Sequence, residues 1–319
     1  MKKSILLAAL TLLFCAPTVK TYAQWDVDTV DVFKAMDDNV FRIYCKQFDT
    51  NFDGVLSQLE AGWVTNIDLG LNVIQSLAGI EYFVNLESLN CSWNRITQLD
   101  VSNNRKLTKL ICYNNRLSSL TLGENEVLTM LDCGNNRLTT LDASGCTALT
   151  RLRCASNQLT ELNVSGCVKL TELVCNNNQL ATLDVSSNKE LGVIVCSDNQ
   201  LTLLALPATT TLYSLKCDNN RLTTLDLSNL KSLVWLNCSN NMLSTLDVSV
   251  AKNLNELSCD NNQLTALNIS SNNSLKLLSC ANNAQALAVT VWSGFDIAAP
   301  NNSIASISYD DENTSFAVR

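Results

Sequence analysis

The sequence Leu86-Glu-Ser-Leu89-Asn-Cys91-Ser-Trp-Asn94-Arg-Ile96-Thr-Gln-Leu99-Asp-Val101-Ser opens a 21-residue unit that occurs ten times. Each copy begins with Leu, has a Cys five residues later and has an Asn three residues after that Cys. A fixed period of this length predicts a solenoid, because one copy buries its apolar face only against its neighbours.

Within a copy, the alternating Leu-x-Cys segment predicts a short strand whose Leu and Cys side chains point inward. Identical strands of consecutive copies are expected to pair in parallel. The Asn that follows each strand can hydrogen-bond to backbone groups of its own and the neighbouring coil, so a buried structural Asn ladder is predicted. The second half of each copy is too short and too rich in β-branched residues for a helix. We expect extended segments there, in a second narrow parallel sheet.

This spacing resembles the leucine-rich repeat, and the copy from Val64 to Phe83 resembles the 22-residue internalin type of bacteria. The Cys-bearing copies look like a bacterial cell-surface subtype. The resemblance implies a mainly β solenoid: a right-handed superhelix with a parallel concave sheet and extended convex segments. We assign residues 64–283 to the solenoid, 24–63 to a small helical N-terminal cap and 284–319 to a β C-terminal cap that covers the last sheet edge.

The start of the chain has the features of a secretory signal peptide, assigned to residues 1–23. Its apolar run, residues 5–14, is too short to span a bilayer, which needs about 20 residues. Cys15 offers a lipoprotein alternative, which the large Phe14 before it disfavours. We therefore expect a secreted or cell-surface protein without a transmembrane segment in the mature chain.

Composition excludes several classes of function. The chain carries a net charge of −8 and no basic block, which argues against nucleic acid, because that affinity depends on neutralising phosphates. It contains no His, which removes Ser-His-Asp and Cys-His catalysis and His-ligated zinc. A solenoid with short regular loops also lacks a deep cleft. We expect a binding protein and not an enzyme.

Fourteen cysteines in an exported chain would ordinarily suggest disulfides, but their spacing argues otherwise. Ten lie in one register, so neighbours are expected about 4.8 Å apart with parallel side chains, whereas a disulfide needs Cβ atoms about 3.8 Å apart. We interpret this column as small buried hydrophobic residues. Cys146 and Cys167 lie in Ser-Gly-Cys turns of adjacent copies, and the sequence allows either a disulfide or two free thiols.

A further motif precedes the repeats. The segment Asp49-Thr-Asn51-Phe-Asp53-Gly54-Val55-Leu56-Ser57-Gln-Leu-Glu60 matches the EF-hand calcium loop at its diagnostic places. The predicted ligands for one calcium ion are Asp49, Asn51, Asp53, the Val55 carbonyl, Ser57 and Glu60. We expect the ion to stabilise the N-terminal cap, and the alternative is an acidic cap that holds no metal.

Outward side chains of the strands are expected to line the concave face. Apolar, aromatic and basic residues among them fit a binding hot spot, although β-branched residues also simply suit a strand. The predicted partner-binding residues are Trp93, Lys109, Ile111, Tyr113, Met130, Arg151, Arg153, Val174, Val193, Val195, Lys216 and Trp235.

The sequence favours a protein partner on this face and a role in adhesion or host interaction, the latter from the resemblance alone. Glycan binding, through stacking of Trp93, Tyr113 and Trp235 on sugar rings, and a passive structural role in the envelope are the alternatives. At the loop edge, Arg95, Arg116 and Arg137 follow one another at the repeat period. We interpret them as a solvated stack beside the Asn ladder.

Overall fold

The computed structural model of the chain describes residues 30–284, 287–295, 306–309 and 314–318. The signal-peptide prediction for residues 1–23 and the lipoprotein alternative at Cys15 lie outside these residues. So does the beginning of the predicted N-terminal cap, residues 24–29.

A small helical cap precedes the solenoid, as predicted. It contains the α-helices Asn39–Cys45 and Gln58–Ala61 and the 3₁₀ helices Val32–Lys34 and Lys46–Phe48. The Asp38 carboxylate caps the first α-helix by accepting hydrogen bonds from two of its backbone amides, at 2.8 and 3.0 Å. Phe41 is fully buried, and its ring packs against that of Phe83 in the first coil, with centroids 6.3 Å apart. The cap therefore covers the open end of the repeat core.

Twelve short strands form one parallel sheet, called here the concave sheet. Its strands are Asn66–Asp68, Ser88–Asn90, Lys109–Ile111, Met130–Asp132, Arg151–Arg153, Glu172–Val174, Val193–Val195, Ser214–Lys216, Trp235–Asn237, Glu256–Ser258, Leu277–Ser279 and Ser306–Ser308. Within the 21-residue copies the register never shifts, so that Leu110 pairs with Leu131 and Leu131 with Leu152. In the ten 21-residue copies, the central Leu of the strand (Ile194 in one copy) and the Cys that follows the strand are buried, which confirms the predicted inward positions.

The opposite, convex side is extended, as predicted, but its pairing is interrupted. Three two-stranded sheets and one three-stranded sheet form there instead of one continuous sheet. The pairs are Gln98–Asp100 with Ser119–Thr121, Thr140–Asp142 with Glu161–Asn163, and Thr182–Asp184 with Leu203–Ala205; the triple is Ala266–Asn268, Leu287–Val291 and Thr314–Val318.

The Asn after each concave strand forms the predicted ladder. In the copy of Asn136, Nδ2 donates to the carbonyls of Cys112 and Cys133 at 3.0 Å and of Gly134 at 3.2 Å. Its Oδ1 accepts a hydrogen bond from the Leu117 amide at 2.9 Å. Each ladder Asn thus bonds both to the turn of its own coil and to a carbonyl of the coil before it. These carbonyls lie beyond the strands, where no neighbouring strand supplies a backbone amide.

A second buried column, which the sequence analysis did not identify, lies in the turns that follow the convex segments. Asn104, Asn125, Asn188 and Asn272 are fully buried there, and each Nδ2 donates to two backbone carbonyls. Two further copies have Cys146 and Cys167 in the same register. The Cys167 thiol contacts the Ala143 carbonyl at 3.1 Å, in the coil before its own. These cysteines therefore take the place of an Asn in an inter-coil contact.

The chain after residue 283 continues the solenoid. Ser306–Ser308 pairs in parallel with Leu277–Ser279 on the concave sheet, while Leu287–Val291 and Thr314–Val318 extend the convex side. The predicted β cap thus takes the form of an additional coil with longer strands. The rings of Phe295 and Phe316 stack in this region, with their centroids 5.8 Å apart.

All thirteen cysteines from Cys45 to Cys280 are buried and reduced, so the Cys146–Cys167 disulfide is not formed in this structure. Burial raises the pKa of Cys91, Cys175 and Cys238 to about 12, and that of Cys146 to about 11. The thiolate is the reactive form of Cys. Near neutral pH these side chains are neutral and behave as small hydrophobic residues.

We expect Ellman's reagent at about pH 8 to leave the folded protein unmodified and to modify all thirteen of these thiols in concentrated guanidinium chloride. The reason is that thiolates are nearly absent and the sulfur atoms are inaccessible while the coils are stacked. The denatured count is the control. Two missing thiols that reappear after reduction would show a Cys146–Cys167 disulfide, and rapid modification in the folded state would contradict the buried column.

Replacing Asn178 by Ala is expected to lower the free energy of unfolding by about 2 kcal/mol, since it leaves the buried Leu159 amide without an acceptor and takes one of two donors from the Cys154 and Cys175 carbonyls. Urea denaturation measures the change. Gln179→Ala, at the exposed neighbouring position, is the matched control and should change stability by no more than about 0.5 kcal/mol. Equal effects of the two substitutions would contradict a structural ladder.

Candidate binding surface

The concave sheet presents two outward side chains from each strand, in two columns that run along the solenoid. Because every strand is in register, residues 21 apart are neighbours within a column. Ten of the predicted partner-binding residues lie in these columns, each exposed or half-buried: Lys109, Ile111, Met130, Arg151, Arg153, Val174, Val193, Val195, Lys216 and Trp235. The structure therefore brings them onto one continuous face.

Charged residues occupy the centre of the face. The Arg153 guanidinium contacts Oε1 of Glu172 through both Nε and Nη2 at 2.8 Å, across adjacent strands. The hydrogen bond to Glu172 raises the pKa of Arg153. Asp132 lies beside Arg153 in the paired strand, and its pKa is raised because burial outweighs the attraction to Arg153 and the hydrogen bond from Gly134. The pair fixes the orientation of Arg153, which remains exposed to a partner.

Apolar residues flank this charged centre. Val174 and Val195 are neighbours in one column, and Val193 lies next to Glu172 in the other. All three are half-buried, so each keeps part of its surface in contact with solvent. Buried centres of protein interfaces are more apolar than the rest of the surface, and Arg is enriched in them.

An aromatic pair lies towards the C-terminal end of the face. The rings of Tyr213 and Trp235 pack edge to face with centroids 5.9 Å apart, and both remain about two-fifths exposed. A hollow of about 420 Å³ beside Trp235 is lined by Lys216, Asn237 and Glu256 with three other concave-sheet residues. Tyr213 was not among the predicted residues, because it lies outside the two outward positions of its strand.

Gly192 explains why Tyr213 fits at this place. A Cβ atom on Gly192 would lie 2.9 Å from Cε1 of Tyr213, so the ring occupies the space that a side chain would need. In earlier copies the same register holds threonines whose hydroxyls bond to the preceding coil, for example Thr171 Oγ1 to the Thr150 carbonyl at 2.9 Å. The sequence signal for this pair is a Gly at this register in one copy and an aromatic residue at the same register in the next copy.

Two predicted residues, Trp93 and Tyr113, lie in the turns after the concave strands and not in the sheet. Their rings pack edge to face at 6.3 Å. Trp93 has a left-handed backbone (φ 58°) and is 54% exposed. Leu71 of the preceding coil also has a left-handed backbone (φ 65°) and is exposed. These residues form a second surface, at the edge of the concave face.

The EF-hand-like loop is closed by its own hydrogen bonds. Both oxygens of the buried Glu60 carboxylate accept hydrogen bonds, Oε1 from the Thr50 amide at 2.7 Å and Oε2 from the Ser57 hydroxyl at 3.0 Å. Burial raises the pKa of Glu60, but hydrogen bonds from Ser57 and Thr50 outweigh it and lower the pKa. Asp49 accepts from the amides of Phe52 and Gly54.

The donor set of this loop, carboxylate and amide oxygens with a Gly at the tight turn (Gly54, φ 85°), suits a hard cation in chemistry. In the conformation observed, however, Glu60 is directed into the hydrogen bonds that begin the second helix. Among the described residues, no three His, Cys, Asp or Glu side chains are gathered in a metal-binding arrangement. The calcium site remains a prediction.

Helices in the described part of the chain are too short and too polar to cross a lipid bilayer. The longest α-helix in those residues, Asn39–Cys45, has seven residues.

Comparison with known proteins supports the repeat assignment. The family model for leucine-rich repeats in two copies matches residues 126–166. No curated protein matches the chain. Among solved structures, the functional domain of InlJ from Listeria monocytogenes, described as including a cysteine ladder, is 30% identical with a TM-score of 0.69. That alignment covers 91% of this chain and 61% of the InlJ chain, so the present chain spans less than two thirds of its length.

A second solved structure, the internalin InlF from Listeria monocytogenes, is 21% identical, with a TM-score of 0.56 over 90% of this chain and 97% of that one. At this identity the likeness shows the fold alone. The fold is a leucine-rich repeat solenoid, which is typically a binding scaffold without enzymatic activity. The repeat match and these two structures together show a leucine-rich repeat solenoid that is similar to internalins of Listeria monocytogenes.

Proposed function

We propose that this chain is an exported protein, secreted or held at the bacterial surface, that binds another protein through its concave sheet. The observation that carries the proposal is the composition of that sheet, in which apolar and aromatic side chains surround the Arg153–Glu172 pair and remain partly exposed. Nothing in the described part of the chain packs over these side chains. A partner would remove them from water, which is the main driving force of association.

The preformed geometry of the face also favours binding. The outward side chains project from paired strands of fixed register, so their positions are set before a partner arrives. A rigid surface loses little conformational entropy on association. Adhesion or host interaction is the role that the internalin likeness suggests.

A glycan ligand is the second candidate, because the exposed Trp235 ring lies next to amide, carboxylate and hydroxyl groups of Asn237, Glu256 and Ser258. An exposed ring offers an apolar face to a sugar, while these polar groups can hydrogen-bond to hydroxyls. Such a ligand would use only this end of the concave face. The apolar stripe at Val174, Val193 and Val195 would then have no role.

Affinity capture tests the proposal, with surface extracts of host cells and neighbouring bacteria as the source of partners. A concave variant, Val195→Glu with Trp235→Ala, is compared with the wild type and with Leu203→Ser, an exposed convex control. A protein that binds the wild type and the convex control should bind the concave variant at least tenfold more weakly, because each hot-spot residue contributes more than about 1.4 kcal/mol.

The affinities are measured with the purified partner, after circular dichroism has shown that all three forms are folded. Equal affinity for all three would contradict concave-face binding. Binding of oligosaccharides that is lost on Trp235→Ala alone would replace the protein partner by a glycan. Absence of any ligand would leave the passive envelope component as the better description.

We also propose that the loop Asp49–Glu60 binds one calcium ion. Its oxygen donors and its turn at Gly54 support this, and binding would require Glu60 to exchange its bonds with Thr50 and Ser57 for the ion. The Asp53 carboxylate is exposed and accepts a hydrogen bond from the Val55 amide at 2.8 Å. Bound calcium would contribute electrostatic stabilisation where the cap meets the first coil.

Millimolar calcium is expected to raise the thermal unfolding midpoint relative to EDTA, since a ligand at a hundred times its Kd stabilises the folded state by about 2.7 kcal/mol. Calorimetric titration should give one site, which Asp53→Ala removes. Asp37→Asn, an exposed acidic position in the same cap but outside the loop, is the control and should leave binding unchanged. No heat of binding and no shift in the midpoint would support the metal-free cap.

A further inference from the structure

The turns that follow the first concave strands carry two exposed columns of side chains. One column starts with Leu71 and Trp93, and the other starts with Val73 and continues as Arg95, Arg116 and Arg137. The ladder asparagines Asn94, Asn115 and Asn136 lie between the two columns in sequence. Together with Tyr113, which packs on Trp93, these six residues are called here the N-terminal turn edge. It is a different surface from the outward face of the concave sheet.

Hydrogen bonds hold the backbone of this edge in register. The Leu71 amide donates to the Ser92 carbonyl at 3.1 Å, and the Trp93 amide donates to the Tyr113 carbonyl at 3.0 Å. The Arg95 and Arg116 amides donate to the carbonyls one coil earlier. The side chains of each column therefore follow one another at about the strand spacing of 4.8 Å.

The repeats themselves provide a comparison for the first column. The register of Leu71 and Trp93 requires a left-handed backbone in every coil, and later copies fill it with residues that adopt this conformation more readily. Those residues are Asn114, Asn135, Ser156, Asn177, Asp198, Asn219, Asn240, Asn261 and Asn282. Leu71 and Trp93 tolerate it poorly, and they are 74% and 54% exposed. Packing within the protein does not explain why large apolar residues occupy these positions.

The second column gives the same comparison for charge. In the three copies that follow Arg137, the register holds Gln158, Gln179 and Gln200, so the fold does not require arginine there. Arg95, Arg116 and Arg137 are exposed, and the ion pairs found among the described residues do not include them. Three guanidinium groups at neighbouring positions repel one another. They stand out in a chain whose net charge is −8.

From these observations we infer that the N-terminal turn edge binds an acidic segment of a partner protein, one that carries an apolar side chain next to its carboxylates. The planar guanidinium groups bind carboxylates with two parallel hydrogen bonds, and a partner's charge removes the repulsion along the column. Trp93, supported by Tyr113, offers the exposed aromatic surface on which an apolar side chain packs.

The aliphatic residues of the edge decide between polypeptide and polysaccharide. Leu71 and Val73 are more than half exposed and have no side-chain hydrogen-bonding groups. They can contact an apolar side chain but cannot pair with sugar hydroxyls or sulfates. An acidic peptide satisfies both columns, whereas an anionic polysaccharide satisfies only the arginines. This site does not depend on the proposed concave-face function.

Fluorescence anisotropy tests the inference with two labelled nonapeptides, rich in Glu and carrying Leu and Phe at one end or the other, so that either direction of binding is sampled. The matched peptides contain Gln instead of Glu. We expect the wild type to bind at least one acidic peptide, with an affinity that falls as salt is added, and to bind the Gln peptides at least tenfold more weakly.

The variant Arg95→Gln/Arg116→Gln/Arg137→Gln uses the residue that later copies have in this register, so the fold should be retained. It is expected to lose at least tenfold in affinity. Arg221→Gln, in the same register but outside the cluster, is the control and should bind as the wild type does. The concave variant Val195→Glu/Trp235→Ala should also bind normally, which separates failure of this inference from failure of the proposed function.

Trp93→Asn supplies an independent readout. It should weaken peptide binding several-fold and at the same time raise the urea midpoint, because Asn accepts the left-handed backbone more readily than Trp. Equal binding of Glu and Gln peptides, or of the triple variant and wild type, would overturn the inference. So would tight binding of heparin without binding of either acidic peptide, since that result would assign the arginines to a polysaccharide.

Discussion

The side-chain amide of one Asn per coil is the interaction on which the rest of the solenoid depends. The turn after each concave strand leaves carbonyl groups pointing into the protein, and no neighbouring strand reaches them. In the copy of Asn178, Nδ2 donates both to Cys175 in its own coil and to Cys154 in the coil before it. Because this bond recurs with the same offset in the 21-residue copies, their turns stack in register and equivalent side chains fall into columns.

Because equivalent side chains stack in columns, inward and outward positions differ in the side chains that they tolerate. An inward position must suit its neighbours on both sides, and the thiol of Cys fills a slot that is small, apolar and identical in ten coils. A Leu in that slot would overfill it and a Ser would bury a hydroxyl. Outward positions carry no such constraint, so residues such as Arg153, Val195 and Trp235 can differ between coils without disturbing the backbone.

The sequence alone predicted the strands, the inward Leu and Cys and the first Asn ladder, because alternation and a fixed period leave only one way to bury them. It missed the second ladder because that register mixes Asn125 with Cys146, Cys167 and other residues, so no pattern is visible before the coils are stacked. Tyr213 was missed for a related reason, since its place depends on the space above Gly192 in the preceding coil. In the calcium loop the pattern is visible in the sequence but the contacts are not. The spacing of ligands from Asp49 to Glu60 can be read from the sequence, whereas the hydrogen bonds of Glu60 with Thr50 and Ser57 cannot.

In a repeat protein, the copies show which different residues one backbone position accepts. A residue that departs from its register and is buried in an inter-coil contact, as Cys167 is, is explained by packing. Trp93 also departs from its register and adopts an unfavourable backbone, and its ring contact with Tyr113 still leaves it 54% exposed. Burial therefore does not explain why Trp occupies this position. The same argument applies to Arg116, whose register holds Gln in the three coils that follow Arg137. Because each coil contacts mainly its neighbours, such surface positions change with little effect on distant coils. The concave sheet and the N-terminal turn edge can therefore carry separate partners on one rigid scaffold.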